Sequence, residues 1–324
     1  MIKTKALWLI IATLVLIISL LIFVVAMSSI GWDFRKINQS SDITNSYDIE
    51  ENVDTVSVFD DTADIYFVTS SDDKLHVVCH EEKNLKHSVT VKDGKLEIKL
   101  IDERKWYEHI SPFNFSKHKV IVHLPKETVS ALMIDSSTGD VNLSRELSFS
   151  SLVISLSTGD VKVFASVLGN TKIETSTGDV SLSGASFDSI DLKVSTGDIE
   201  LSSLSAGDIK MTVSSGSAEL NAVNCKTVTT SGSTGDVDFE RVVVSGKLSI
   251  TRSTGDVEFE DCDAAELYVK TSTGDVEGSL LTSKIFFTKS STGRINVPKT
   301  TSGGACEIET STGDIEIYIK SVNN

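Results

Sequence analysis

Apolar and polar residues alternate with period two along most of the chain, in short runs broken by Ser, Thr, Gly and Asp. The last two thirds set the pattern. Ser-Thr-Gly-Asp returns there nine times in near-perfect form, at Gly139, Gly159, Gly178, Gly197, Gly235, Gly255, Gly274, Gly293 and Gly313. A tenth copy is reduced to Ser214-Ser215-Gly216-Ser217, and Gly293 is followed by Arg294 instead of Asp. Successive glycines stand 19 or 20 residues apart. Two residues after each comes Val, Ile or Ala, from Val141 to Ile315; four after, Leu, Val, Ile or Phe, with Gly278 the exception. Five before, the residue is apolar except at Thr230 and Thr288.

Fixed spacing of this length marks a stacked repeat. The arms are rich in β-branched and aromatic residues at period two and so predict strands with one buried face. Helix is disfavoured, because the 3.6-residue stripe is missing and Gly, Ser and Thr are dense. Each repeat predicts two short strands and two turns, with glycine at the better defined corner. The fold class is all-β: a parallel β-solenoid of about ten regular 19–20-residue coils. At roughly 4.8 Å per coil the rod is about 48 Å long.

Ahead of the repeats, Lys3 and Lys5 precede a strongly apolar run from Ala6 to Ala26. Its roughly 21 residues suffice to cross a hydrocarbon core of ~30 Å, and the basic flank predicts a cytoplasmic N-terminus with the repeats outside. A cleaved signal peptide, cut near Ala26-Met27-Ser28, is the alternative. The expected organisation is a cytoplasmic stub, transmembrane anchor and juxtamembrane residues over 1–36, a polar linker over 37–50, an irregular β capping region over 51–136, and regular repeats over 137–324. Within the cap, strands are expected at 55–58, 64–68, 75–79, 88–91, 95–100 and 119–124.

The net charge is −16, and residues 1–36 hold four basic and one acidic residue, so the remainder is more acidic still. That argues against nucleic acid or anionic lipid headgroups as partners. Cys79, Cys225, Cys262 and Cys306 share no common column and read as buried free thiols rather than two disulfides.

The N-terminal apolar run, the segment Val120-Ile121-Val122-His123-Leu124-Pro125-Lys126 and the Ser-Thr-Gly-Asp-Val coils resemble a bacterial family of unknown function known as "putative adhesin", which includes LiaG-like envelope proteins. The resemblance covers about residues 50 to 320, and Leu-Pro-Lys leading into Ser137-Thr138-Gly139-Asp140-Val141 is its most specific part. It implies a surface β-solenoid and carries over no catalytic residues.

Candidate chemistry is sparse. Asp140, Asp160, Asp179, Asp198, Asp236, Asp256 and Asp275, with Asp314 beyond, form a column about one strand spacing apart. A shared divalent cation such as calcium would relieve their repulsion. The plainer reading, which the sequence favours, is that each Asp caps its own turn, and no cofactor is required. Alternation would turn the corner threonines inward and the Ser and Asp outward. His76, Cys79 and His80 suggest a metal, but on a strand the two histidines share one face and Cys79 the other, so they do not converge. Trp106, Tyr107, Phe113 and Phe115 lie in an aromatic-dense interruption that either packs over the rod end or meets a partner.

The expected function is a membrane-anchored, extracytoplasmic, non-catalytic binding or scaffold module at the cell surface. Its partners would be the membrane and an envelope protein or surface ligand. Two rivals remain open: a polysaccharide-acting parallel β-helix enzyme, and a self-assembling surface filament.

Overall fold

The computed structural model describes residues 2–29, 32, 42–104, 118–125 and 129–320. One helix, α1 (Ile2–Ser29), precedes an all-β body. Every large apolar side chain from Leu14 to Val25 on α1 is at least 40% exposed. The Ser19 and Ser28 hydroxyls donate back to the carbonyls of Leu16 and Val24. Among the described residues no helix is long and apolar enough to cross a membrane.

The body is a parallel β-solenoid whose ten glycine corners bound about nine turns. The apolar columns read from the sequence are its core. Val141, Val161, Val180, Ile199, Ala218, Val237 and Val257 are buried in register, as are Leu143, Val163, Leu182, Leu201, Leu220, Phe239 and Phe259. Phe239 and Phe259 stack at 5.5 Å between ring centroids. The four cysteines are free and buried, and Cys306 continues the column of Leu267.

The glycine corner is enforced twice. Gly159 has φ +142°, and a Cβ there would lie 2.0 Å from the Gly139 carbonyl oxygen. The second corner, six residues on, takes a left-handed residue as well: Gly184, then Ser203, Ala222, Arg241 and Asp261 with φ of 52–55°. The corner threonines differ from expectation. Thr138, Thr158, Thr177 and Thr196 are exposed beside their serines, because the chain turns there and the alternation breaks; the inward residue is the one before the pair, as in Ser136 and Thr175.

At the N-terminal end, among the described residues, seven strands precede the first regular coil: β1 (Asp42–Ile49), β2 (Thr55–Asp60), β3 (Asp64–Thr69), β4 (Leu75–Glu82), β5 (Leu85–Lys92), β6 (Lys95–Asp102) and β7 (Lys119–Leu124). The first regular coil, β8 (Ala131–Thr138) and β9 (Val141–Leu143), stacks in parallel on β2 and β3. On the far side of β2 and β3 lie β6 and β7, also parallel. The sheets then continue antiparallel, β6 to β5 on one face and β7 to β4 to β1 on the other. The cap is thus a small antiparallel sandwich rather than irregular coils alone. Residues 42–49, expected within the linker, are its edge strand β1.

The C-terminal end is out of chain order. Residues 304–312 and 315–319 stack on 267–270 and 276–280. Residues 284–292 and 295–296 lie outside them. The last coil in the chain is therefore the last but one in the rod. The N-terminal end shows the same interlock, since β2–β3 lies inside β6–β7 although it comes first.

Candidate functional site

The Asp column is a hydrogen-bond ladder between coils. Asp140 Oδ1 accepts the amide of Asp160 at 2.9 Å, Asp160 that of Asp179 at 2.9 Å, and Asp179 that of Asp198 at 2.8 Å. Asp198 holds Ser217 at 2.7 Å, Asp236 holds Asp256 at 2.9 Å, Asp256 holds Asp275 at 2.7 Å, and Asp275 holds Asp314 at 2.7 Å. Each carboxylate thus caps the equivalent residue of the next coil, not its own turn. The column begins one coil earlier than the sequence suggests, at Asp64, whose Oδ1 accepts the Asp140 amide at 3.1 Å. Ala63 in place of glycine hides that corner. It ends at Arg294, whose amide donates to Asp314 Oδ1 at 2.7 Å.

Four of the expected residues, Trp106, Tyr107, Phe113 and Phe115, lie outside the described residues. So does His109. The remaining histidines gather in the cap but serve different contacts. On β4 the strand pleat separates them as anticipated: His76 and His80 point one way, Cys79 and Glu81 inward with Leu75 and Val77. His80 meets the Thr44 hydroxyl at 3.0 Å, and His118 meets that of Thr62 at 3.1 Å. His123 lies edge-on to His76.

His76 bridges two carboxylates at the surface, with Nδ1 2.7 Å from Asp48 Oδ1 and Nε2 3.0 Å from Asp72 Oδ1. The bond to Asp48, then that to Asp72, raises its pKa above the ordinary histidine value. These residues line an open pocket of about 540 Å³ together with Glu50, Glu51, Asp73 and Lys74. Its chemistry suits a cationic group more than an anion.

His87 makes the corresponding bridge in the interior. Nε2 lies 2.5 Å from Asp60 Oδ2 and Nδ1 2.8 Å from Glu81 Oε2, with no side-chain exposure on any of the three. Two ionised carboxylates would each accept a hydrogen bond from a ring nitrogen, which only the imidazolium can supply to both. Burial opposes that charge, but the bond to Asp60 and then the neighbouring Cys79 sulfur outweigh it and push the pKa up to about 10. Burial likewise raises Asp60, and the bonds from His87 and the Ala63 and Thr62 amides bring it below the usual carboxylate value. The sequence carried one signal for this cluster: an acid, Glu81, at an inward position of an otherwise apolar strand face.

The sequence profile of the Toastrack DUF4097 family matches residues 53–224 and again 206–323, covering cap and repeats alike. The chain belongs to the Toastrack DUF4097 family. A comparison with curated proteins found no match. Among solved structures, a "putative adhesin" from Bacteroides fragilis NCTC 9343 is 15% identical, with a TM-score of 0.47 over 86% of this chain and 97% of that one. One from Parabacteroides merdae ATCC 43184 is 14% identical, with a TM-score of 0.44 over 87% and 98%. Another, from Parabacteroides distasonis ATCC 8503, is 13% identical, with a TM-score of 0.40 over 86% and 98%.

Proposed function

We propose that this Toastrack protein is a membrane-anchored cell-surface scaffold that acts by binding and not by catalysis. The observation that carries the reading is α1. Its apolar side chains from Leu14 to Val25 stand exposed all round the helix, with no polar face to lay on a protein surface, which is the character of a segment solvated by lipid. In the sequence the apolar run extends from Ala6 to Ala26, behind Lys3 and Lys5, a pattern that supports a single-pass anchor with the solenoid outside. The repeats support a structural role for their most suggestive chemistry, since each ladder Asp spends one carboxylate oxygen on the next coil's amide. Calcium on the remaining oxygens is a separate proposal. It requires the melting temperature to rise with calcium and fall with EDTA.

Membrane fractionation tests the anchor. The full chain should sediment with membranes, resist carbonate extraction and dissolve in detergent, while a chain starting at residue 30 should be released. Crosslinking on intact cells then identifies the partner: a membrane sensor or envelope enzyme would make the protein an envelope accessory, and external polymer or protein would make it an adhesin. Release of the full chain by carbonate alone would sink the anchored reading.

A second reading, end-to-end self-association, has one observation in its favour. The outermost coil leaves the 284–292 strand paired on one side only and exposes Ile285, Phe287 and Ile295, an unprotected edge of the kind that recruits another chain. Concentration-dependent growth in light scattering, abolished by Phe287→Lys, is the expected result; a strict monomer contradicts it.

A further inference from the structure

The cap contains a donor set that a surface scaffold leaves unused. Cys79 and Glu81 lie two apart on the inward side of β4, and His87 lies on the neighbouring strand β5. Their sulfur, carboxylate oxygen and ring nitrogen all lie within 4.8 Å of one another, and all three residues are buried. One thiolate, one imidazole and one carboxylate on a tight hairpin are the ligand chemistry of zinc.

The surroundings hold these ligands in place. His87 Nε2 donates to Asp60 Oδ2 at 2.5 Å, the carboxylate–histidine pairing that fixes the ring and turns Nδ1 toward an ion. Asp60 is itself held through Oδ1 by the amides of Thr62 at 2.7 Å and Ala63 at 2.6 Å. Glu81 Oε1 accepts the Asn45 side-chain amide, while Oε2 accepts the His87 backbone amide at 2.6 Å and faces His87 Nδ1 at 2.8 Å. A buried ion pair would use the same outer ring of partners, but it has no need of the cysteine.

We propose that Cys79, Glu81 and His87 form a buried site for one divalent ion of the zinc class, oriented by Asp60 and Asn45. The ion replaces two protons, one on His87 Nδ1 and one on the Cys79 thiol, so the charge of the cluster does not change. Zinc–ligand bonds of about 2.0–2.3 Å place ligand atoms about 3.3–3.8 Å apart, so the Nδ1–Oε2 contact opens by roughly 0.5 Å. A fourth position falls to water. Because the ligands are buried, the ion enters as the cap folds, and it ties β4 and β5 together over the end of the solenoid core.

The test is to refold the full chain in detergent with Co²⁺ alone and record its absorption. The expected result is a near-ultraviolet thiolate-to-cobalt band that saturates at one ion per chain. That band should be lost in Cys79→Ser and retained in Cys225→Ser, with circular dichroism confirming that each variant keeps its β structure. No band in folded wild type, or a band that survives Cys79→Ser, overturns the site. If Cys79→Ser does not fold, Asp60→Asn replaces it and should weaken Zn²⁺ binding about 10–100-fold in chelator competition; an unchanged affinity is equally fatal.

Discussion

Arg294 lies outside Asp314 in the rod although it precedes it by twenty residues, and the two are joined by three hydrogen bonds. The Arg294 amide donates to Asp314 Oδ1 at 2.7 Å and its guanidinium Nη2 to Oδ2 at 2.9 Å. Every other ladder position except Ser217 carries a carboxylate oxygen that receives the coil beyond it. The outermost one has no coil beyond it, so the one basic residue in the column stands where no acceptor is needed and answers the accumulated negative charge.

Arg294→Asp should therefore lower the melting temperature more than Arg294→Ala, and the gap should narrow in high salt, because these side chains are exposed and screened. Arg294, first through its amide and then its side chain, holds the Asp314 carboxyl below its ordinary value of 3.8. A depressed carboxylate contributes stability above the unfolded value and loses it as pH falls through the folded one. The difference between wild type and Arg294→Ala should thus be present above about pH 4 and vanish on further acidification. Thermal melts across pH 2–7 decide this; a gap that persists in acid would mean the arginine acts by packing.

The two corners should respond in opposite ways to exchanging glycine and alanine. Gly159→Ala puts a Cβ 2.0 Å from a backbone oxygen at φ +142°, where neither side can yield without moving a whole coil. A loss above about 3 kcal/mol is expected from urea unfolding. Ala222 already holds φ +53° with a side chain, at an intrinsic cost of about 1–2 kcal/mol. Ala222→Gly relieves that cost against some added chain entropy and should be neutral or stabilising by up to about 1 kcal/mol.

The contrast between these corners also explains what the sequence disclosed. Within the regular coils, Gly159 and its equivalents are positions where only glycine fits, so the repeat, its coil length and the buried columns could be read directly. At the second corner Ser203, Ala222, Arg241 and Asp261 tolerate the left-handed conformation, and no single letter marks it. The order of the last two coils was hidden for a different reason. Equivalent repeats stack equally well in either order, and the exchange shows only in pairings across it, such as Arg294–Asp314, Lys270–Glu309 and Lys320–Asp261. The ladder residues were legible as a column, but not that each serves the next coil. The His87 cluster was not legible as a unit, because antiparallel folding of the cap, rather than repeat spacing, brings Asp60, Cys79, Glu81 and His87 together.

His76 offers a pH test at the surface pocket. With its pKa raised chiefly by Asp48 and then by Asp72, its bridge is fully made below the unfolded value of about 6.5 and is lost as pH rises through the folded value. In an NMR titration the His76 ring should titrate above 6.5, with Asp48→Asn lowering its midpoint more than Asp72→Asn. Amide exchange in β1 and the 72–76 turn should quicken on the alkaline side. A ring that titrates at or below 6.5 would mean the bridge does not form in solution.

Arg252 supplies the last prediction. It occupies an inward column, 2% exposed, between Gly232 and Thr271 in chain order, and a side chain on Gly232 would meet its guanidinium. The absent side chain at Gly232 is what makes room for it. Its Nη1 donates to the Val213 carbonyl at 3.1 Å, while Nε and Nη2 make no hydrogen bond. Burial lowers its pKa, opposed by the charge of Asp236. Buried unpaired donors of this kind cost about 1–3 kcal/mol each, and replacing buried charge with apolar volume is often stabilising. Methionine matches the length and can follow the same path through the gap. Arg252→Met should therefore stabilise the protein, by about 1–3 kcal/mol in urea unfolding, where a large-to-small core change would ordinarily destabilise. Destabilisation of that size instead would show that the guanidinium satisfies more of the neighbouring carbonyls than Val213 alone, and that Gly232 and Arg252 act as a matched pair.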